Sequence, residues 1–424
     1  MKKALIITYY WPPAGGSGVQ RWLKFVKYFR EFEIEPIVYT VDNPNYPIED
    51  ESLLNDIPEG LDILEQPIWE PNQIFSIFGK KKTESAGFLN PSPTFFGKLL
   101  QHIRANYFIP DARKFWIKPS VKYLKKYLNE NKIDIIVTTG PPHSLHLIGL
   151  NLKKQLGIKW IADFRDPWTE IDYFHQLPLT KRAIKKHHLF EHEVLKTADS
   201  VLVVGNTMAE KYSKYNKNTF TITNGFDGEL CDDKVELDSK FTLTHIGLMN
   251  ADRNPKMLWE VLSEIIVENK NFENDFNLKL IGKIDASVVQ EISKYNLTKN
   301  VKIVSYVSHN KVIEYQKKSQ VLLLIVNNVP SARGIITGKI FEYLMVKRPI
   351  LAIAPKNGDL AKIIDETNSG YVVGFKEREQ LKMIILDLYS KFKNKKLIVD
   401  SKNIEQFHRR ELTKKVSEII KSIV

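Results

Sequence analysis

The sequence predicts an α/β protein with two separate parallel sheets. Three observations lead there. Short apolar runs rich in β-branched residues alternate with longer stretches of roughly 3.6-residue period, the pattern of parallel strands covered on both faces. The 424 residues suffice for two or three domains at about 100–200 residues each. Midway, a strand ends in the turn signal Asn224-Gly225, the polar, acidic segment Asp227–Ser239 follows, and a fresh strand opens at Phe241.

In the first half the strands are expected at Lys3–Tyr9, Pro36–Val41, Leu61–Gln66, Asp134–Thr139, Trp160–Asp163, Ser200–Val204 and Thr219–Thr223. In the second they are expected at Thr242–Ile246, Asn277–Ile281, Val301–Ser305, Val321–Val326, Pro349–Ala354 and Gly370–Val373. Helical periodicity marks Val19–Glu31, Leu145–Leu156, Lys181–Ala198, Lys256–Asn269, Ala286–Tyr295, Asn310–Lys318, Ile340–Met345 and Leu360–Glu366. Residues 69–118 are rich in Phe, Pro, Lys and Asn and lack a clean period, which reads as an irregular segment, functional or mobile. A charged amphipathic helix, Lys402–Ile423, closes the chain. The domains are therefore drawn at 1–226 and 240–400, with 401–424 as a terminal helix.

Composition narrows the function. With 43% hydrophobic and 26% charged residues the chain is neither disordered nor a membrane bundle. One cysteine, Cys231, excludes an internal disulfide framework and a cysteine-cluster metal site. No apolar run approaches the roughly 18–20 residues that span a bilayer. Ala4–Tyr10 is too short for a secretory leader and runs into Trp11-Pro12-Pro13, so it reads as a buried first strand of a cytoplasmic protein. The net charge of +12 is spread over the chain without a nucleic-acid reading module, so no nucleic-acid partner is expected.

Five constellations could carry chemistry. Pro12–Arg21, with Gly15-Gly16-Ser17-Gly18, follows the first strand and opens a helix; it is either an anion-approaching glycine loop or a tight turn. Thr138–Ser144 places His143 above the strand ends, as a group for a hydroxyl or as loop packing. Ala162–Trp168 crowds Asp163, Arg165 and Asp166, which either bind something or pair to hold the loop. Arg253 precedes a helix N-terminus, a geometry that suits a phosphate. In Ala332–Tyr343, Lys339 and Glu342 share a helix face, the carboxylate suited to ribose hydroxyls and the ammonium to phosphates, unless they form a plain surface pair. A sixth feature is basic and aromatic. From Lys98 to Lys126 eight cations face Asp111 alone, with Phe95, Phe96, Tyr107, Phe108, Phe115, Trp116 and Tyr123 interleaved. About 95–126 thus suits either an anionic membrane surface or a solvated helix over core aromatics.

Taken together, these blocks resemble the bacterial glycosyltransferases of family 4, the group 1 glycosyltransferases. Tyr10-Trp11-Pro12-Pro13 with Gly15–Gly18, Asn224-Gly225-Phe226-Asp227, Thr337–Leu344 and Pro349-Ile350-Leu351 are similar, in order and spacing, to that family's blocks. The resemblance covers nearly the whole chain. It implies the GT-B fold, two Rossmann-like domains facing across a cleft, with the C-terminal helix crossing back to the first domain. It implies an enzyme that moves a sugar from a nucleotide-diphospho-sugar to a glycan or lipid-linked acceptor in surface polysaccharide synthesis, with retained configuration and neither metal nor other cofactor. Donor contacts would fall to Gly15, Gly16, Arg253, Gly338, Lys339 and Glu342. His143 and Asp166 would be catalytic, and Arg21, Asp163 and Arg165 acceptor-side or structural. Two positions depart from the family pattern: Gly334 stands where a first glutamate is usual, and Gly247-Leu248 where Gly-Arg is usual. A sugar-nucleotide 2-epimerase and a non-catalytic nucleotide- or carbohydrate-binding relative are the alternatives. The place of action is the cytoplasm or the inner face of its membrane.

Overall fold

The computed structural model describes residues 1–70, 95–171, 174–230, 235–305, 307 and 309–424. They form two compact units, residues 1–224 with 409–424, and residues 225–408.

The first unit carries seven strands: β1 (Lys2–Ile7), β2 (Ile34–Val41), β3 (Asp62–Gln66), β4 (Ile135–Gly140), β5 (Lys159–Phe164), β6 (Ser200–Val203) and β7 (Thr219–Thr221). All pair in parallel in the order β3-β2-β1-β4-β5-β6-β7. Register follows from double-sided burial: Ala4 stands opposite Pro36 and Ile135, and Ile6 opposite Val38 and Val137. Successive side chains alternate between faces. Leu5 and Ile7 therefore join one core with Tyr39, Ile136 and Trp160. Ala4 and Ile6 join the other with Trp22, Val38 and Val137.

The second unit carries β8 (Phe241–Ile246), β9 (Phe276–Ile281), β10 (Val301–Val304), β11 (Val321–Ile325), β12 (Ile350–Ile353) and β13 (Gly370–Val373). Their order is β10-β9-β8-β11-β12-β13, again parallel throughout. Leu243, Leu278 and Leu323 line one core, and Leu322, Leu324 and Ile350 the other. Each sheet thus reverses direction of growth once, between β1 and β4 and between β8 and β11. Open α/β sheets bind ligands at the carboxyl ends of strands at such a reversal.

Three expectations need correction. Within the stretch expected to be irregular, 69–118, residues 95–107 form a helix and a second helix, 117–130, begins at its end; the part of that segment at 71–94 lies outside the described residues. The first of these helices leaves Leu99, Ile103 and Tyr107 exposed, so its apolar positions do not announce a buried face. The closing helix starts at Arg409 rather than Lys402. Before it, Ile404 and Phe407 are buried in the second unit's core, with Phe407 packed on Phe341 at 5.5 Å between ring centroids. Apolar anchoring likewise places Gly225 and Phe226 in the second unit, where the Phe226 amide donates to Phe407 O. Helix 409–423 itself belongs to the first unit. Leu412, Val416 and Ile420, four residues apart, are buried with Trp22, Leu23 and Val26, and Arg410 and Lys421 pair with Glu31 and Glu33 at 2.6 Å.

Candidate active site

At the carboxyl end of β8 the chain turns through Gly247, whose φ of +111° is a left-handed value that strains any other residue. A β-carbon there would also lie 2.7 Å from Lys339 Nζ, so the bare glycine is what lets the Lys339 side chain lie across the turn. Lys339 opens helix Lys339–Met345, which buries Ile340, Phe341, Tyr343 and Leu344 and leaves Lys339 and Glu342 on the remaining side. Burial and the Arg253 charge pull the Lys339 ammonium down to about 7, with Glu342 opposing. Arg253 is tied back by two bonds, Nη1 to Leu248 O at 2.8 Å and Nε to Asn327 Oδ1 at 3.0 Å. Its guanidinium therefore reaches back to the residue that follows Gly247. A pocket of about 330 Å³ opens here, lined by residues 251–257 together with Ile325, Val326, Asn328, Ile353 and Phe375.

Glu342 does not form its hydrogen bond with Lys339. It accepts one from Gln316 Nε2 at 2.9 Å. Beneath the site His245 donates Nδ1–H to Leu323 O at 3.1 Å, and burial with the Lys339 and Arg253 charges keeps it neutral. Several buried polar atoms around these segments have no partner: His245 Nε2, Asn250 Oδ1, Gln316 Oε1, Ser331 Oγ and Thr337 Oγ1. Unsatisfied buried polar groups cost about 1–3 kcal/mol each and are rare in native proteins. With the two cations at the sheet reversal, they make this the candidate site of the second unit. Gly338 has open space where a side chain would begin.

In the first unit Arg165 holds three loops together. Its Nη1 donates to Gly18 O and its Nη2 to Pro141 O, while its own amide donates to Gly140 O at 3.0 Å. The glycine loop, the His143 loop and the Asp163–Trp168 loop thereby form one constellation over β1, β4 and β5. Burial lowers the pKa of the Arg165 guanidinium, with Asp166 and Asp163 opposing. His143 lies flat on Trp168, ring centroids 4.7 Å apart and planes within 4°. Burial, followed by His146, Arg165 and His187, drives its pKa well below the usual value, so the imidazole is neutral at pH 7. It does not cap the helix it precedes. Asp111 does, accepting from Ser144 N at 2.9 Å and Ser144 Oγ at 2.8 Å.

Asp163 is fully buried. It accepts from Arg21 Nε and Nη2, from Trp22 Nε1 at 2.7 Å and from Thr139 Oγ1 at 2.9 Å. Arg21, equally buried, spends Nη1 on Thr223 O at 2.9 Å. This pair fastens the loop from inside. Asp166 is exposed beside Arg165. Gly15 donates its amide to Ile48 O at 2.8 Å, and Gly16, at φ +87°, opens helix Ser17–Phe29 without a side-chain cap. Four contributors escaped sequence reasoning: Trp168 as the plate under His143, and Gln316, His245 and Asn327 around the second-unit cations. The only signal for Trp168 was its closeness in sequence to Asp166, and the other three gave none.

Among the described residues no His, Cys, Asp and Glu group is arranged to hold a metal ion, and no helix is long and apolar enough to cross a membrane. The family described as glycosyl transferases group 1 matches residues 240–391. No curated protein matches the sequence. Solved structures share the fold at low identity. TarM is 14% identical with a TM-score of 0.62, covering 99% of each chain. WaaG, a glycosyltransferase involved in lipopolysaccharide biosynthesis, is 13% identical with a TM-score of 0.56, covering 98% of this chain and 99% of its own. A putative UDP-N-acetylglucosamine 2-epimerase from Listeria monocytogenes is 12% identical with a TM-score of 0.56, covering 100% and 96%. Fold likeness alone therefore fits transferases and epimerases alike, and the family match favours the former across the second unit. It falls on the unit that carries Arg253, Lys339 and Glu342: that unit is similar to the group 1 glycosyl transferases, and the chain as a whole shares the two-sheet GT-B fold of the solved structures.

Proposed function

We propose that the protein transfers a sugar from a nucleotide-diphospho-sugar to a glycan or lipid-linked acceptor in bacterial surface polysaccharide synthesis, with retention of anomeric configuration. The observation that carries this reading is the second-unit site: Arg253 lining a pocket at the sheet reversal, Lys339 lying across Gly247, Glu342 on the same helix side as Lys339, and unpartnered polar atoms on the neighbouring segments. Glu342 would accept the ribose hydroxyls. Arg253 and Lys339 would face the diphosphate, where negative charge grows as the glycosidic bond breaks; fixed cations stabilise that charge without reorganising. Neutral His143 would offer a hydrogen bond to a sugar hydroxyl, with Asp166 exposed on the loop that Arg165 ties to it. WaaG, by its printed description, acts in lipopolysaccharide biosynthesis, and a S. aureus TarM variant has been captured with UDP and alpha-GlcNAc-glycerol, which is the chemistry supposed here.

The test is a thermal-shift and calorimetry panel of UDP, GDP and their sugars. One nucleotide should stabilise the protein selectively. Binding should also take up protons. Lys339 is partly deprotonated above pH 7 when empty, and a diphosphate restores its charge. Uptake should approach one proton between about pH 7 and 10.5, with affinity falling as pH rises through that window. No stabilisation by any nucleotide would remove the donor site. Turnover of the nucleotide sugar without acceptor, giving an epimer, would replace transfer by epimerisation.

A further inference from the structure

Behind His143 the first unit buries a line of polar groups that the donor site does not use. Trp160 Nε1 donates to Thr138 Oγ1 at 2.9 Å, and the same oxygen stands 2.9 Å from Nδ1 of His146. All three residues are fully buried. Two glycines keep the line open. A β-carbon on Gly149 would lie 2.5 Å from Trp160 Nε1, and one on Gly140 would lie 2.5 Å from His146 Nε2. Groups this polar are seldom buried in a row unless each serves the next.

The hydrogens in this line have a definite sense. An indole N–H can only donate, so the Thr138 oxygen accepts it. Among the described residues, His146 Nδ1 is the acceptor within reach of the hydroxyl's own hydrogen. The opposite sense would leave that hydrogen buried without a partner. His146 Nδ1 therefore accepts. Burial pulls the His146 imidazole down to about 3, with Asp163 opposing and Arg165 adding to the fall. The ring is neutral at pH 7 and carries its single hydrogen on Nε2.

That N–H borders the hollow left by Gly140, and so does Nδ1 of His143, which lies 3.0 Å from the same point. Both nitrogens are buried and neither has a partner. The two rings stand 5.8 Å apart between centroids, with planes at 32°, so a small movement of either closes a bond that satisfies both. Such bonds are commonly long in an empty site and tighten when a ligand binds. We propose that His146 is a positioning residue: it donates its Nε2–H to Nδ1 of His143, which fixes the His143 hydrogen on Nε2 and makes that nitrogen a donor to the sugar. Trp168 sets the plane of the His143 ring, and the line from Trp160 through Thr138 and His146 sets which of its nitrogens carries the hydrogen. Only the contact with sugar rests on the transferase reading; the bond between the two histidines does not.

Nitrogen NMR of the full chain, labelled with 15N-histidine, tests it. At pH 7 both rings should carry hydrogen on Nε2, and Nδ1 of His143 should resonate upfield of a nitrogen that accepts nothing. His146→Phe keeps a ring stacked on Phe164 but removes the donor, so the His143 Nδ1 resonance should move downfield. Thr138→Val, close in shape, frees the His146 tautomer and should move it the same way. Turnover is read as nucleotide released from whichever nucleotide sugar the thermal panel selects. His146→Phe should lower kcat about fivefold, the usual worth of one hydrogen bond, with KM unchanged. His146→Gln, which keeps an acceptor for Thr138 and a donor for His143, should restore most of the loss. A wild-type hydrogen on Nδ1 of His143, or an Nδ1 resonance that ignores both variants, overturns the proposal. Equal kcat losses for the Phe and Gln variants also overturn it, because packing would then account for them. Failure of the nucleotide panel removes the transferase reading instead, while the spectra still decide the bond between the histidines.

Discussion

Lys339→Met should lose glycosyl transfer by roughly 10²–10³-fold in kcat while the second unit becomes more, not less, stable. The loss is the ordinary magnitude for deleting one preorganised donor to a developing anion. The gain in stability follows from the desolvated ammonium. Burial and Arg253 hold its pKa at about 7, far under its value in the unfolded chain. A lysine with a depressed folded pKa binds fewer protons folded than unfolded between about pH 7 and 10.5, so stability rises with pH across that window. Below pH 7 the wild type carries the full penalty of the buried charge, and above 10.5 it carries none. Methionine fills the same groove across Gly247 without a charge. The stability difference between variant and wild type should therefore be largest in acid and vanish at high pH. Thermal unfolding across pH, paired with sugar-transfer rates, reads both. A variant that is both less stable and fully active would assign Lys339 to structure.

Asp163→Ala should be the most destabilising single change in the first unit, by about 3–5 kcal/mol, because it leaves Arg21 charged and fully buried without its partner. At this size a loss of 1 kcal/mol moves the melting point by about 2–4 °C, so a drop of roughly 10 °C is expected for that unit's transition. The pH dependence has a definite sign. Burial would raise the Asp163 pKa, but the Arg21 charge and the bonds from Arg21, Trp22 and Thr139 outweigh it and hold the carboxyl low. Its contribution is complete above the unfolded carboxylate value of about 3.9 and is lost as pH falls through the lower folded value. Asp163→Asn, which keeps the shape and part of the bonding, should cost less than the alanine change. Equal losses for the two variants would show that packing rather than charge holds the loop.

How far the site could be read from residues alone differs between its parts. The cluster Gly338-Lys339-Ile340-Phe341-Glu342 could be read because its meaning is local: three-residue spacing puts Lys339 and Glu342 on one helix side, and the apolar residues between them occupy the other. The destination of Glu342 was not legible. Its partner Gln316 lies 26 residues away and was brought there by the crossover from a neighbouring strand. Arg165 shows the same limit. Its loop reads as a crowd of charges, and only the pairing of β1, β4 and β5 shows that it spans to Gly18, 147 residues earlier.

By itself the sequence determined the thirteen strands of the described residues, the burial of the central ones on both faces, the break between two sheets and the blocks Thr337–Leu344 and Pro349–Leu351 that fall within the group 1 match over residues 240–391. Those rest on period-2 and 3.6-residue patterns and on turn chemistry, which neighbours along the chain dictate. Tertiary structure alone decided that Lys339 lies across Gly247 and that His143 rests on Trp168. It also decided that Ile404 and Phe407 anchor in the second unit, and that Trp160 reaches His146 through Thr138. Each of these depends on which far-apart segments the sheet order and side-chain packing bring into contact, and no local pattern carries that information.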